Sequence, residues 1–391
     1  MGTAPLYFDY QATTPVDPDV LSEMLVYFTE KFGNAASRSH PYGWEAEEAV
    51  AHARSQVAAL LGAQAKEIIF TSGATESNNL IIKGVARTLS AKGKHIITGA
   101  TEHKAVLDAC AALEKEGFQI TVLPCDTQGN IAPETLEKAI REDTILVSLM
   151  HANNEVGTVH PVAAYGAICR AHNVFFHTDA VQSVGVLPMD VEQMKVDAAS
   201  ISAHKIYGPK GIGALYLRRK SQVRPEPLFH GGGHERGHRS GTLDVPSIVG
   251  FGAACALAKA QHASDGARIL ALRQRLLMSL RELISDLVVH GSMENRLPGN
   301  LSLGFPQTGA EEILLKVQRR LALSSGSACS SASPEPSHVL RALRVPNDLS
   351  HCSVRLGIGR HTTETDVDEA VAILSEAITQ IRQESPAFQT D

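Results

Sequence analysis

The sequence predicts an α/β protein with a mostly parallel sheet, and three observations carry that prediction. Between residues 65 and 220, short apolar runs alternate with amphipathic stretches. Each run leads through a tight polar turn into a helical pattern, which is the order parallel strands require. Polar clusters recur where the apolar runs end, and in parallel sheets ligands gather beyond the carboxyl ends of the strands.

In chain order, "EIIFTSGATESNNLIIKGVARTL" reads as strand, tight turn and helix, and "KHIITGATEHKAVLDACAALEKEG" repeats it. "TILVSLMHANNEVG", "VFFHTDAVQS" and "AASISAHK" are further strands with polar ends. Such strands are buried on both faces, hence their continuous apolar runs. "VPSIVGFGAACALA" (245–258) reads as a buried helix and "HASDGARILALRQRLLMSLRELI" (262–284) as a separate amphipathic helix opening a smaller domain. There "GNLSLGF" is strand-like, while "GAEEILLKVQRRL" and "DVDEAVAILSEAITQIRQE" are helical, giving an α+β layer. The closing "SPAFQTD" reads as a frayed tail. The expected division is a large domain over 12–258 and a small one from 1–11 and 259–391.

With 391 residues, 43% hydrophobic and 20% charged, the chain has a globular composition. A net charge of −6 supplies no basic footprint for nucleic acid or an anionic membrane. The first ten residues lack a basic flank and an apolar core, so no signal peptide is expected. The longest apolar stretch, 245–258, is too short to span a bilayer. Six cysteines stand apart, none at CxxC spacing. Free thiols in a reducing, cytoplasmic compartment are expected.

Seven places carry chemistry. In "TSGATESNN", Gly73 makes a turn and Ala74 and Thr75 open a helix, whose exposed N–H groups and dipole make an anion seat; a plain N-cap is the alternative. His103, in "TEHKAVL", lies at a strand-to-helix turn, either as a reactive group or as a structural one. Asp179 ends the run "VFF", with Gln182 three residues on. A carboxylate at a buried strand end is costly unless it meets a cation. Lys205 follows Ser202 and His204 at another strand end, and a buried lysine becomes a nucleophilic amine. Lys210 competes from an exposed Gly-Pro-Lys-Gly turn. Anion seat, acid and lysine together fit pyridoxal phosphate, whose phosphate, pyridinium and imine carbon each find a partner.

"HGGGHERGHRSGT" spaces His230, His234 and His238 every fourth residue, but its glycines argue against a metal-binding helix. A flexible loop offering Arg239 and Thr242 to an anion is the better reading. In "SSGSACSSASPEP" (324–336), Cys329 stands in a polar segment expected to be a mobile loop, where a thiol is reactive rather than structural. Downstream, Arg355 has a fork suited to a carboxylate, and Cys352 reads as a bystander.

These motifs, with "YFDYQATTPVDPDV", "MHANNEVGT", "SAHKIYGPKGIGALY", "RSGTLDVP" and "VRLGIGR", run along nearly the whole chain. Their order resembles the cysteine desulfurases of the nitrogen-fixation and iron–sulfur-cluster group, class V members of the fold-type I pyridoxal phosphate enzymes. The resemblance implies that Lys205 carries the cofactor as an imine and removes the substrate Cα proton. It implies phosphate contacts from Ala74, Thr75, Ser202 and His204, with Thr242 contributed across a homodimer. Asp179 would meet the pyridine nitrogen, Gln182 the ring hydroxyl, and His103 would stack on the ring and serve in proton transfer. Asn154 and Arg355 would bind the carboxylate of L-cysteine. Cys329 would take the sulfur as a persulfide and pass it to an acceptor such as a cluster scaffold, transiently ligating a cluster there; no intrinsic metal is implied. Housekeeping members carry a longer C-terminal tail that helps to dock the scaffold, which leaves that docking open here. Selenocysteine lyase, a plain aminotransferase and a non-enzymatic sulfur or metal carrier are the rival readings.

Overall fold

A computed structural model describes residues 4–325 and 337–384. Its strands are β1 (Leu6–Tyr7), β2 (Ile68–Thr71), β3 (His95–Gly99), β4 (Gln119–Leu123), β5 (Thr144–Ser148) and β6 (Phe175–Asp179). They continue as β7 (Ala198–Ser202), β8 (Gly213–Leu217), β9 (Val288–Val289), β10 (Asn300–Gly304), β11 (Leu321–Ala322) and β12 (Ser353–Gly357). Seven strands form the main sheet in the order β2-β8-β7-β6-β5-β3-β4. Only β8 runs against its neighbours; the other pairings are parallel, as the alternation of strands and helices predicts.

Side chains alternate faces along a strand, and the two cores divide accordingly. Ile68, Phe70, Ile97, Val147, Phe176 and Ala199 enter one apolar cluster. Their neighbours Ile69, Ile96, Leu146, Phe175 and Ala198 enter the other, against the helices Ala74–Leu89 and Lys104–Glu114. The inner strands are therefore buried throughout, whereas β4 at the edge is partly exposed. Covered on both faces, the sheet leaves its strand ends as the place where polar side chains can gather.

A second sheet, β12-β10-β9, is antiparallel, and β1 pairs with β11 in parallel. Its core joins Phe8, Leu301, Leu303, Val354 and Leu356 to the helices Ala310–Val317 and Glu364–Glu384. One expectation fails. The two helices read at 245–258 and 262–284 are a single helix, Val245–Leu283, of 39 residues. Asp244 caps its start by accepting from Ser247 N, no proline follows the first turn, and Gly266 alone does not interrupt it. Its first half packs in the main core and its second half against the small sheet. The C-terminal segment "SPAFQTD" lies outside the described residues.

Buried histidines tie the strands together. His177 lies between Ser148 Oγ and Ser200 Oγ, each at 2.9 Å, and burial pushes its pKa down to about 3. His151, His160 and His290 are likewise pushed down to about 4, chiefly by burial. Each is neutral in the folded chain but titrates near 6.5 when unfolded. Their contribution is complete above about pH 6.5 and is lost progressively as pH falls toward 4. Urea unfolding should show stability declining steeply across that window; a flat profile from pH 6.5 to 4 contradicts it.

Candidate active site

A cavity of about 520 Å³ opens at the carboxyl ends of β2, β6 and β7. Ala74, Thr75, His103, Asn154, Asp179, Gln182, Ser202, His204, Lys205 and Arg355 all line it. All but Arg355 follow strand ends of the main sheet, which brings them to one wall, while the small sheet supplies Arg355. Two expected residues are elsewhere. Thr242 is exposed and does not line the cavity of its own chain, and Cys329 lies outside the described residues.

The anion seat begins at Gly73, whose φ of 148° favours glycine and leaves open space where a side chain would start. The N–H groups at the first turn of the helix Ala74–Leu89 have no partner within the helix. Gly213, on β8, backs this turn. A Cβ there would come within 2.8 Å of Gly73 Cα and 2.6 Å of Ile201 O, so backbone meets backbone. His204 stands beside the seat with Nδ1 3.1 Å from Thr13 Oγ1. Burial first, then Lys205 and Lys210, push its pKa down to about 4, so it stays neutral near pH 7.

Asp179 ends β6, 6% exposed. It accepts hydrogen bonds from Asn78 Nδ2 at 2.8 Å and from Val181 N at 3.0 Å. Among the described residues no lysine, arginine or histidine pairs with it. Glu102, 1% exposed, accepts from Met150 N at 2.7 Å. Burial, with the Asp179 charge adding, raises its pKa well above the usual carboxylate range. Glu102 is thus a neutral acid.

Lys205 follows β7 in a short turn, half-buried. Its Nζ donates to Gln11 O at 2.5 Å and Ala12 O at 2.8 Å, while Gln182 Nε2 also donates to Gln11 O at 3.0 Å. These carbonyls belong to "YFDYQATTPV", a motif whose part in holding the lysine was not legible beforehand. Lys210 reaches the cavity too, but from an exposed turn, as expected. His103 caps the helix Lys104–Glu114 by accepting from Ala105 N at its Nδ1, 3.1 Å. Its neutral ring therefore carries the proton on Nε2. His103 thus caps a helix and also lines the cavity.

Sequence reasoning missed three pairings. Arg239, expected to be available to an anion, is held by Glu76 at 3.0 Å. Nor is its loop an unanchored one: Glu235 is gripped by both arms of Arg54 at 2.6 Å and accepts from Phe70 N at 2.8 Å. His230, His234 and His238 share no helix, only a short 3-10 turn at Glu235–Gly237 between them. Arg355 already holds Asp9 at 2.7 Å and Asn154 O at 2.9 Å. His338, unnoticed in the sequence, lines the cavity and donates from Nε2 to Glu102 O at 2.9 Å. Cys352 is buried, and its Sγ donates to Leu349 O, as befits a bystander.

Comparison with known proteins now adds to this geometry. Residues 6–370 match the family described as aminotransferase class-V. The chain belongs to that family. It is 55% identical over 385 residues to a cysteine desulfurase IscS of Anaeromyxobacter dehalogenans, covering 98% of this chain and 95% of the relative. It is 56% identical over 387 residues to a cysteine desulfurase IscS of Shewanella amazonensis, with the same coverage. Among solved structures, a NifS-like protein superposes with a TM-score of 0.90 at 39% identity, covering 96% of this chain and all of that one. SspA in complex with cysteine superposes with a TM-score of 0.81 at 37% identity, covering 92% of this chain and all of that one. The main sheet and the small antiparallel sheet are thus those of the fold-type I enzymes.

Gly213 packs against the back of the Gly73 turn with no room for a Cβ, which makes the turn testable. Gly213→Ala should lower unfolding free energy by about 1–3 kcal/mol, the range for overpacking, and weaken phosphate-dependent cofactor retention. Unchanged urea midpoint and retention would show that the turn is not backed as described.

Proposed function

We propose that this chain is a pyridoxal phosphate-dependent cysteine desulfurase that moves sulfur from L-cysteine to Cys329 and releases L-alanine. The observation that carries the reading is the buried Asp179 carboxylate, without a cationic partner among the described residues, sharing one cavity with Lys205 and an open helix N-terminus. That set fits the cofactor's three ends. Ala74, Thr75, Ser202 and His204 hold the phosphate, with a neutral His204 donating a hydrogen bond. Asp179 meets the ring nitrogen, Gln182 the ring hydroxyl, and His103 stacks on the ring. When bound through Lys205, the cofactor supplies an electron sink for carbanion chemistry at the substrate Cα.

The chain's own groups do the rest. Arg355 and Asn154 hold the substrate carboxylate and so fix which Cα bond faces Lys205. Once the substrate amine has replaced Lys205 on the cofactor, the freed Lys205 amine takes the Cα proton, and Gln11 O and Ala12 O, which accept from Nζ, hold it in place. His103 offers a proton from Nε2, since Nδ1 is engaged by Ala105 N. The Cys329 thiolate attacks the substrate sulfur: a sulfur–sulfur bond forms, the substrate Cβ–sulfur bond breaks, and the departing carbon takes up protons to become alanine. The persulfide then passes its outer sulfur to an acceptor thiol, as a cluster scaffold or a similar protein would provide.

The active form in this reading is a homodimer with Thr242 completing the partner's phosphate site. Two observations support it. Thr242 is exposed in its own chain, and Leu21, Leu25 and Phe28 form an exposed apolar face on the helix Pro18–Thr29, with the exposed, touching rings of Phe32 and Tyr42 following it. The large domain spans 12–258 and the small one 1–11 with 259–391. Five described cysteines are free thiols and no helix among the described residues is long and apolar enough to cross a membrane. A cytoplasmic location fits both.

Three variants test the division of labour. Lys205→Ala should lose the cofactor's visible absorbance and essentially all alanine release, while Lys210→Ala keeps both. Cys329→Ala should keep the absorbance and respond to cysteine, yet form no persulfide. Mass spectrometry after one turnover should find the extra sulfur on the Cys329 peptide; finding it on the Cys352 peptide, or finding Lys210 trapped by borohydride, overturns the assignment.

A further inference from the structure

Asp9 has no task in the reaction just described, yet its position is fixed as firmly as any residue of the site. It forms a parallel bridge with Gly357, and Gly357 N donates to Phe8 O, so the N-terminal segment lies along β12. Asp9 O accepts from Ala12 N at 2.9 Å and from Tyr7 Oη at 3.1 Å. That leaves the carboxylate on a rigid stub directed at Arg355, with Oδ1 2.7 Å from Nη2. The Arg355 side chain is 2% exposed and that of Asp9 17%. Nη1 of Arg355 is held by Asn154 O, while its buried Nε has no partner among the described residues.

A guanidinium buried this deeply needs partners for its charge and its N–H groups, and removing a paired carboxylate leaves a buried charge uncompensated. Here the carboxylate takes one edge of the fork and a backbone carbonyl takes another, so the plane of the guanidinium is set before any ligand arrives. We propose that Asp9 is a positioning residue that orients Arg355 to receive the carboxylate of the amino-acid substrate. The inference rests on the reading of Arg355 as the carboxylate binder. Asp9 acts through Arg355 and touches neither Lys205 nor the reacting sulfur. It therefore governs binding and leaves the chemical step alone. The same segment carries the Gln11 and Ala12 carbonyls that hold Lys205 Nζ, so one short stretch of chain orients both the cation that binds and the amine that reacts.

The test is steady-state alanine formation by the cofactor-loaded, full-length enzyme, with calorimetric titration of L-alanine as a binding readout. Asp9→Asn should raise KM for cysteine and weaken alanine binding by about ten-fold or more, with kcat within a factor of about two. Asp9→Glu, which keeps the charge but moves it, should fall between the two and carries the test alone if Asp9→Asn does not fold. Combining Asp9→Asn with Arg355→Gln should add little to the KM of Arg355→Gln alone. Wild-type KM in a folded but less stable Asp9→Asn enzyme would reduce Asp9 to a structural ion pair and overturn the inference. An unchanged KM in Arg355→Gln refutes the carboxylate role of Arg355 itself, and the inference falls with it.

Discussion

A carboxylate at the end of a buried strand is the constraint on which the site depends. Asp179 is fixed on both sides: its backbone lies in the ladder between β5 and β7, and its carbonyl accepts from His151 N. Its backbone cannot move without breaking the sheet. Two hydrogen bonds, from Asn78 and Val181, offset part of the desolvation, but neither brings positive charge. Removing a carboxylate from water costs several kcal/mol even after relaxation, and a nearby cation is what ordinarily offsets it. Meanwhile burial holds Glu102 neutral. A protonated ring nitrogen is the complement to that arrangement.

The surrounding charges follow from the same sheet geometry. Parallel strands deliver their polar ends to one edge, so phosphate seat, acid and lysine converge without any loop having to travel far. His204 stays neutral because burial and two lysines disfavour its charged form, and a neutral imidazole donates to an anion without competing for the lysine's role. The small antiparallel sheet brings Arg355 from the far end of the chain to the other wall. The 39-residue helix that runs through both apolar cores links the two parts.

Much of this was legible in the sequence because it depends on local pattern. Apolar runs gave the strands, the Gly73 turn gave a helix N-terminus, and strand-end polarity gave Asp179, Ser202, His204 and Lys205, which share one cavity. What was not legible is pairing at a distance. Asp9 and Arg355 are 346 residues apart, Arg54 and Glu235 are 181 apart, and Glu76 and Arg239 are 163 apart. Among 36 basic and 42 acidic residues, composition and spacing cannot select which will meet. Arg239 consequently read as available when Glu76 already held it. The long helix failed for a different reason: a change from buried to amphipathic pattern looks like a boundary, though no residue there stops the backbone hydrogen bonds.

The most direct measurement is the stability that the cofactor adds to the folded chain, in wild type and in Asp179→Asn. Urea unfolding would be followed for the cofactor-loaded and the stripped forms of each. If Asp179 is a buried charge awaiting a cation, Asn at that position should stabilise the stripped protein, because the neutral amide removes the uncompensated charge. It should also shrink the increment that cofactor binding supplies, because the ring nitrogen has lost its counter-charge. Equal increments in the two proteins, with a stripped Asp179→Asn form no more stable than wild type, would contradict the role given to this carboxylate.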